Sequence, residues 1–117
     1  MAENREYLTQ MEENGSINIS EEVIASIVTD AVKEIEGVGG MGQNVSEQFT
    51  GKKSARGVRA ELQDGAVVVD IYLMVRYGFA IPEVAKKVQD CVGGAVGGMT
   101  GYPVRAVNVH VGGISFN

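Results

Sequence analysis

Residues 66–111, AVVVDIYLMVRYGFAIPEVAKKVQDCVGGAVGGMTGYPVRAVNVHV, decide the fold of this chain. They begin with a long segment, Ala66 to Tyr77, in which apolar residues occupy every second position. Such a period predicts a strand with one buried and one wet face. A helix follows near Pro82, because proline suits the first turn of a helix. Val107 to Val111 alternate again, so the stretch predicts a strand, a helix and a second strand.

The helix of this unit is predicted to run to Met99. Steps of 100° per residue gather its apolar side chains within about 140° of arc; they are Ile81, Val84, Ala85, Val88, Cys91, Val92, Ala95, Val96 and Met99. Cys91 lies at one edge of this arc, so we expect a small core residue, with a reactive thiol as the alternative. Gly101 and Pro103 then end the helix.

The chain before this unit predicts a shorter strand and another helix. Ser16 to Ile19 alternate as a short strand. Ser20 offers a side-chain oxygen to cap a helix, and the apolar residues that follow have helical spacing. Gly37 is expected to end that helix in a left-handed conformation.

A loop and a hairpin are predicted between the two units. From Val38 to Gly57 the apolar pattern disappears among glycine and polar residues, which indicates a mobile loop. Val58 to Leu62 alternate again up to Asp64-Gly65. That dipeptide favours a tight two-residue hairpin turn into the long strand.

The predicted order βαββαβ is typical of a two-layer α+β sandwich, with two helices packed on one face of a small mixed sheet. We assign this single domain to residues 16–112, with an acidic flexible lead over 1–15 and a tail over 113–117. The sequence Val-Gly-Gly-Met occurs at both 38–41 and 96–99. An ancient duplication and a chance echo in a glycine-rich chain are both open.

Composition narrows the class of protein. A chain of 117 residues that is 44% apolar builds one core. Its net charge of −5 opposes a general affinity for nucleic acid or anionic lipid. No apolar run approaches the about 18 residues of a transmembrane helix, and none resembles a signal peptide. A single cysteine excludes an internal disulfide and fits a reducing compartment, so a cytoplasmic protein is expected.

Several short motifs carry a family resemblance over about Ser16 to Val111. They are the 58–77 hairpin with its Tyr77-Gly78 exit, Ile17-Asn18-Ile19-Ser20, Glu36-Gly37-Val38-Gly39-Gly40-Met41, Ile81-Pro82-Glu83-Val84-Ala85, Met99-Thr100-Gly101 and Val107-Asn108-Val109-His110-Val111. In order and spacing they resemble the alkaline shock protein family of Gram-positive bacteria. The resemblance implies a non-enzymatic envelope stress protein, a scaffold or adaptor without catalytic residues or cofactors. It also implies protein partners: a small membrane-anchored protein that holds some relatives at the membrane, and further copies of the chain.

Four glycines depart from the family pattern. They are the first candidates for a contact surface. Gly93, Gly94, Gly97 and Gly98 lie inside the second predicted helix, mostly opposite its apolar arc. Relative to alanine they lower helix stability by roughly 3 to 4 kcal/mol. A groove that lets another backbone approach is one explanation, and a frayed or kinked helix end is the other.

The polar side of the last strand supplies the other candidates. Asn108 and His110 share a strand face. We expect Tyr72, Asp70, Arg59 and Glu61 on the same open sheet surface. Such a face either binds a partner or is only solvated. One histidine without a nearby cysteine or histidine makes a poor metal site, and no glycine cluster has phosphate-loop spacing. An RNA-binding domain is the alternative function, although stacking aromatics are scarce and the net charge opposes it.

Overall fold

The computed structural model describes residues 7–41 and 57–116. Over these residues it contains six strands and two helices: β1 Tyr7–Glu12, β2 Gly15–Ser20, α1 Glu21–Val32, β3 Val38–Met41, β4 Val58–Gln63, β5 Ala66–Arg76, α2 Ile81–Thr100 and β6 Val104–Ser115. The α+β class is confirmed.

Strand β5 is the centre of a four-stranded sheet. Strand β6 runs parallel to it along one edge, from the pair Val67 with Val104 to the pair Arg76 with Ser115. The other edge is divided between two antiparallel strands: β4 covers the first half of β5, and β3 covers the second half. Strands β1 and β2 form a separate two-stranded antiparallel sheet.

The observed order differs from βαββαβ by two additional strands. Strand β1 lies within the segment 1–15 that was predicted as a flexible lead, and β3 occupies the start of the predicted 38–57 loop. Residues 42–56 of that loop lie outside the described residues. Strand β6 continues to Ser115, beyond the predicted domain end at 112. Strand β3 forms because β4 ends its pairing at Ile71, which leaves the backbone groups of the second half of β5 to be paired.

One hydrophobic core joins both helices to the sheet. Alternate residues of β5 point into it, and each helix contributes a stripe of buried side chains. Its fully buried members are Ile24, Val28, Val32, Val67, Val69, Ile71, Leu73, Val75, Val88, Val92 and Val96. Because successive strand residues point to opposite sides, Asp70 and Tyr72 face away from this core.

Local signals place the turn and the helix starts as predicted. Asp64 and Gly65 have φ angles of 51° and 81°, as a two-residue hairpin turn requires. Ser20 caps α1, its Oγ accepting a hydrogen bond from the Val23 amide at 3.3 Å. Helix α2 has its proline in the first turn and ends at Gly101, whose φ is 81°.

The predicted end of α1 at Gly37 is wrong. The helix ends at Val32, and the amide of Ile35 then donates to the Val32 carbonyl at 3.0 Å in a tighter turn. Gly37 is left-handed as expected, with φ of 99°. A Cβ there would lie 2.7 Å from Val84 Cγ2, so this glycine is needed for close packing against α2.

The predicted core position of Cys91 is also wrong. Its side chain is exposed, and its Sγ donates to the Ala31 carbonyl oxygen at 3.7 Å. The buried stripe of α2 is a single row with a spacing of four residues: Val84, Val88, Val92 and Val96. This row is narrower than the arc that the helical wheel suggests, so Cys91 lies beside α1 and outside the core.

Candidate protein-contact surfaces

The side of the four-stranded sheet that faces away from the core, here called the outer face, gathers the predicted polar residues. Strand register places Asp70 between Arg59 on β4 and Asn108 on β6. Tyr72 lies directly beside His110. The sheet therefore brings Tyr72, Asn108 and His110 together with Asp70 on one surface, as the sequence predicted, and the register makes Asp70 their common neighbour.

These four side chains form a connected network. Asp70 Oδ1 accepts a hydrogen bond from Asn108 Nδ2 at 3.2 Å and lies 3.1 Å from His110 Nε2. The His110 ring stacks on Tyr72, with 4.6 Å between ring centroids and 15° between planes. His110 is thus held from two sides, and the outer face presents donors, acceptors and a ring in a fixed arrangement.

A shallow depression of about 220 Å³ adjoins the network. It is lined by Arg59, Ala60, Glu61, Asp70 and Tyr72. Arg59 Nε lies 3.6 Å from Glu21 Oε2, and the same oxygen accepts a hydrogen bond from the Ala60 amide at 3.1 Å. Charged groups of both signs therefore border the depression.

A histidine and a carboxylate, His110 and Asp70, lie together on the outer face. Among the described residues of β4, β5 and β6, the one serine, threonine or cysteine is Ser115, which is buried at the end of β6. Among the described residues, no group of three or more histidine, cysteine, aspartate or glutamate side chains is placed to hold a metal ion. Hydrogen bonding, charge and ring stacking are what this surface offers a partner.

The four candidate glycines do not join the outer face, because they lie on α2. A Cβ added at Gly93, Gly94 or Gly98 meets no atom of the described residues within 4 Å. At Gly97 it would lie 3.7 Å from the Tyr102 carbonyl oxygen, an ordinary contact. The helix continues through them to Thr100, whose hydroxyl donates to the Val96 carbonyl at 2.7 Å. Packing inside the described chain therefore does not require glycine at these positions.

An exposed aromatic pair, which the sequence did not predict, lies at one end of the sheet. Tyr77 and Phe116 stack with ring centroids 5.2 Å apart, although their residues are 72% and 77% exposed. Each ring directly follows one of the two parallel strands, β5 and β6. The available signal is an aromatic residue soon after each of two alternating segments, but the sequence prediction places Phe116 in the tail over 113–117.

Comparison with known proteins places the chain in a family. Residues 9–116 match the profile of the alkaline shock protein family, which is described as having a "cell envelope-related function". The chain belongs to the alkaline shock protein family. This confirms the resemblance that the short motifs of the sequence indicated.

Three relatives of this alkaline shock family chain come from Bacillus subtilis and Streptococcus pyogenes. YqhY of Bacillus subtilis is 34% identical over 107 residues, 88% of this chain and 79% of YqhY. Spy1535 of Streptococcus pyogenes is 35% identical over 102 residues, 86% of this chain and 79% of that protein. YloU of Bacillus subtilis is 33% identical over 106 residues, 86% and 88% of the two chains. All three are named as uncharacterised proteins, and no solved structure matches the chain.

Neither described helix of this alkaline shock family chain combines the length and the apolar character that crossing a membrane requires. In α2 the exposed side carries lysines and glycines rather than a continuous apolar surface.

Proposed function

We propose that this protein is a non-enzymatic scaffold or adaptor of the envelope and alkaline stress response, acting in the cytoplasm through protein contacts. A small membrane-anchored protein recruits it to the membrane periphery by binding the outer face. The envelope-related function of its family supports the setting. The observation that carries the proposal is the network in which Asp70 and Tyr72 hold Asn108 and His110 in place.

A prearranged polar surface suits a protein partner. Binding is weakened when side chains must be ordered, by about 0.5–1.5 kcal/mol for each flexible side chain. On the outer face His110 is already stacked on Tyr72 and paired with Asp70. A partner that meets these groups therefore orders few side chains of this protein. The glycine side of α2 offers a second contact, where another backbone can approach closely.

The same geometry favours a protein surface over a small-molecule or RNA site. Small-molecule sites are concave, mostly apolar and typically about 300–1,000 Å³, whereas the depression here is smaller and bordered by charges. Glu61 and Asp70 repel phosphate, and the Tyr72 and His110 rings already stack on each other. Each ring therefore has one face covered by the other, which leaves less aromatic surface for a base to stack on.

The distribution of the protein between cell fractions tests the proposal. Wild type and the triple variant Tyr72→Ala/Asn108→Ala/His110→Ala are compared in cells under alkaline stress, with Lys86→Ala/Lys87→Ala on exposed α2 positions as the matched control. We expect wild type and the control in the membrane fraction and the folded triple variant released from it. Equal membrane association of all three contradicts the proposal. Salt-sensitive retention of wild type on single-stranded RNA would favour the alternative.

A further inference from the structure

The two outer edges of the four-stranded sheet differ in how they are covered. On β4, the Ala60 amide donates to the carboxylate of Glu21, and Arg59 forms an ion pair with the same group. On β6, one edge pairs with β5, and no strand of the described residues pairs with the other. That other edge is contacted by the side chain of Gln89, whose Nε2 donates to the Val107 carbonyl at 3.0 Å.

This edge of β6, which is open among the described residues, is regular over Val107 to Val111 and contains no aspartate, glutamate, lysine or arginine there. The Val107 carbonyl points away from β5 toward Gln89, and backbone groups alternate along a strand. The amides and carbonyls of Val109 and Val111 therefore also point away from β5. Register with β5 is continuous here and shifts only before and after this stretch. Charges, prolines and bulges are the usual protection of an exposed edge, and residues 107–111 contain none of them.

We propose that this edge pairs antiparallel with the β6 edge of a second copy of the chain, about a two-fold axis at Val109. In that register Val107 lies opposite Val111 of the second copy, and Asn108 lies opposite His110 of the second copy. Apolar residues then meet apolar residues toward the core, and an amide meets an imidazole on the outer face. This proposal adds a second copy of the chain to the partners in the proposed function. It rests on that function only in assuming that the protein acts through protein contacts.

Other registers are less complementary. A shift of two residues in one direction places His110 opposite His110, and in the other direction places Asn108 opposite Asn108. Either shift also moves one end of the pairing onto a register irregularity. The two-fold axis at Val109 uses the whole regular stretch, and each outward residue exchanges hydrogen bonds with an outward residue of the second copy. The Val107 carbonyl has two acceptor lone pairs, so it accepts from the incoming Val111 amide as well as from Gln89 Nε2.

The glycines of α2 fit this assembly. Gln89, Gly93 and Gly97 follow one another at a spacing of four on the side of α2 that faces β6, since Gln89 reaches Val107 and a Cβ at Gly97 would lie 3.9 Å from Val104 Cγ2. With strands about 4.8 Å apart in the pairing direction, the β6-facing sides of the two α2 helices lie on the same side of the joined sheet and flank the new strand pair. Glycine on these sides allows two helices to approach each other closely.

Pairing of two copies also joins their outer faces. Each copy contributes its Tyr72, Asn108 and His110 to one continuous sheet surface. An anchored partner present in many copies at a membrane then meets a bivalent surface, which raises its apparent affinity without a new kind of contact.

Register-specific crosslinking tests the assembly. In a Cys91→Ala background, Asn108→Cys and His110→Cys are made as separate proteins and oxidised mildly, alone and mixed. Directly opposite residues that are not hydrogen-bonded have Cα atoms about 4.5 Å apart, within the roughly 4.4–6.8 Å that a disulfide spans. We expect the mixture to form crosslinked dimers at least tenfold faster than either protein alone. Equal rates, or faster linkage of one variant to itself, would overturn the register.

A measurement on unlinked protein separates assembly from folding and from partner binding. Val109→Pro removes an amide that faces away from β5, a place where edge strands accept proline. We expect wild type to sediment as a dimer at micromolar concentration and folded Val109→Pro to dimerise at least tenfold more weakly. A monomeric wild type at all concentrations would overturn the proposal. The release of the outer-face triple variant from membranes is measured independently, so failure of the dimer does not count as failure of the adaptor function.

Discussion

The sequence Val-Gly-Gly-Met occurs twice in this protein and has two different structures. Residues 38–41 form strand β3, and residues 96–99 lie inside helix α2. In the strand, a Cβ at Gly39 would lie 2.5 Å from the Cβ of Ser115. In the helix, a Cβ at Gly98 would meet no described atom within 4 Å. The two glycines of the β3 segment therefore include one that the fold of a single chain requires. The two glycines of the α2 segment have no such role within the described chain.

The difference argues against a structural repeat. Val38 pairs with Val75 at the edge of β5, while Val96 continues the buried row of Val84, Val88 and Val92. Each Val-Gly-Gly-Met segment adopts the secondary structure that its tertiary contacts favour, because local propensity is weaker than tertiary packing. The duplication hypothesis is therefore not supported by the way the two segments fold.

The largest effect is expected for Gly39→Ala. Its new Cβ collides with Ser115, whose residue is buried, so β3 or β6 must shift. Overpacking of this kind destabilises by about 1–3 kcal/mol, and we expect the upper end because two strands are involved. Urea unfolding monitored by circular dichroism measures the change. An unchanged free energy of unfolding would mean that the contact between β3 and β6 is looser than described.

The double variant Gly94→Ala/Gly98→Ala tests the other side of the comparison. Both added methyl groups enter space that the described residues leave open, and alanine favours a helix over glycine by about 0.8–1.0 kcal/mol at each position. We expect the free energy of unfolding to rise by about 2 kcal/mol, measured by the same urea titration. A decrease would show that packing in the monomer does need these glycines.

Tyr102 follows the second Val-Gly-Gly-Met segment and gives a smaller effect. Its side chain is buried in the core, and its hydroxyl has no hydrogen-bond partner among the described residues. Removing a buried unpaired hydroxyl relieves part of a desolvation penalty of about 1–3 kcal/mol. Tyr102→Phe is therefore expected to raise the free energy of unfolding by about 1 kcal/mol in thermal and urea unfolding. Destabilisation would indicate a partner for the hydroxyl in solution.

Gly40→Ala is the matched control for Gly39→Ala and has the smallest expected effect. A Cβ at this neighbouring position of the same strand meets nothing within 4 Å in the part of the chain that the structure describes. Glycine in a strand interior is less stable than alanine by roughly 0.5–1 kcal/mol. We expect a small rise in the midpoint of urea unfolding. A loss as large as that of Gly39→Ala would contradict the assignment of the clash to Gly39 alone.

The parts of the fold that were predictable are those with local causes. The alternation of β5, the Asp64-Gly65 turn and the proline start of α2 each act within a few residues. Strand β3 was not predictable, since two of its four residues are glycines and its partner is the distant end of β5. The prediction that Cys91 lies in the core was wrong because a helical wheel does not show how much of the helix surface the neighbouring elements bury.

The candidate surface was predictable in membership and not in arrangement. Alternation along two predicted strands was enough to place Tyr72, Asn108 and His110 on one face. The role of Asp70 as their common neighbour depends on the parallel register of β5 and β6, which no local pattern encodes. The open edge of β6 likewise becomes visible only once the strand order is known.

The most direct test is to measure stability and self-association on the same alanine variant. Gly93→Ala/Gly97→Ala changes the side of α2 that faces the open edge of β6, and Gly94→Ala/Gly98→Ala is its matched control. Sedimentation equilibrium and urea unfolding are run on both and on wild type. We predict that both variants are more stable than wild type and that Gly93→Ala/Gly97→Ala alone dimerises more weakly. Unchanged or tighter dimerisation of Gly93→Ala/Gly97→Ala would contradict a contact role for these glycines.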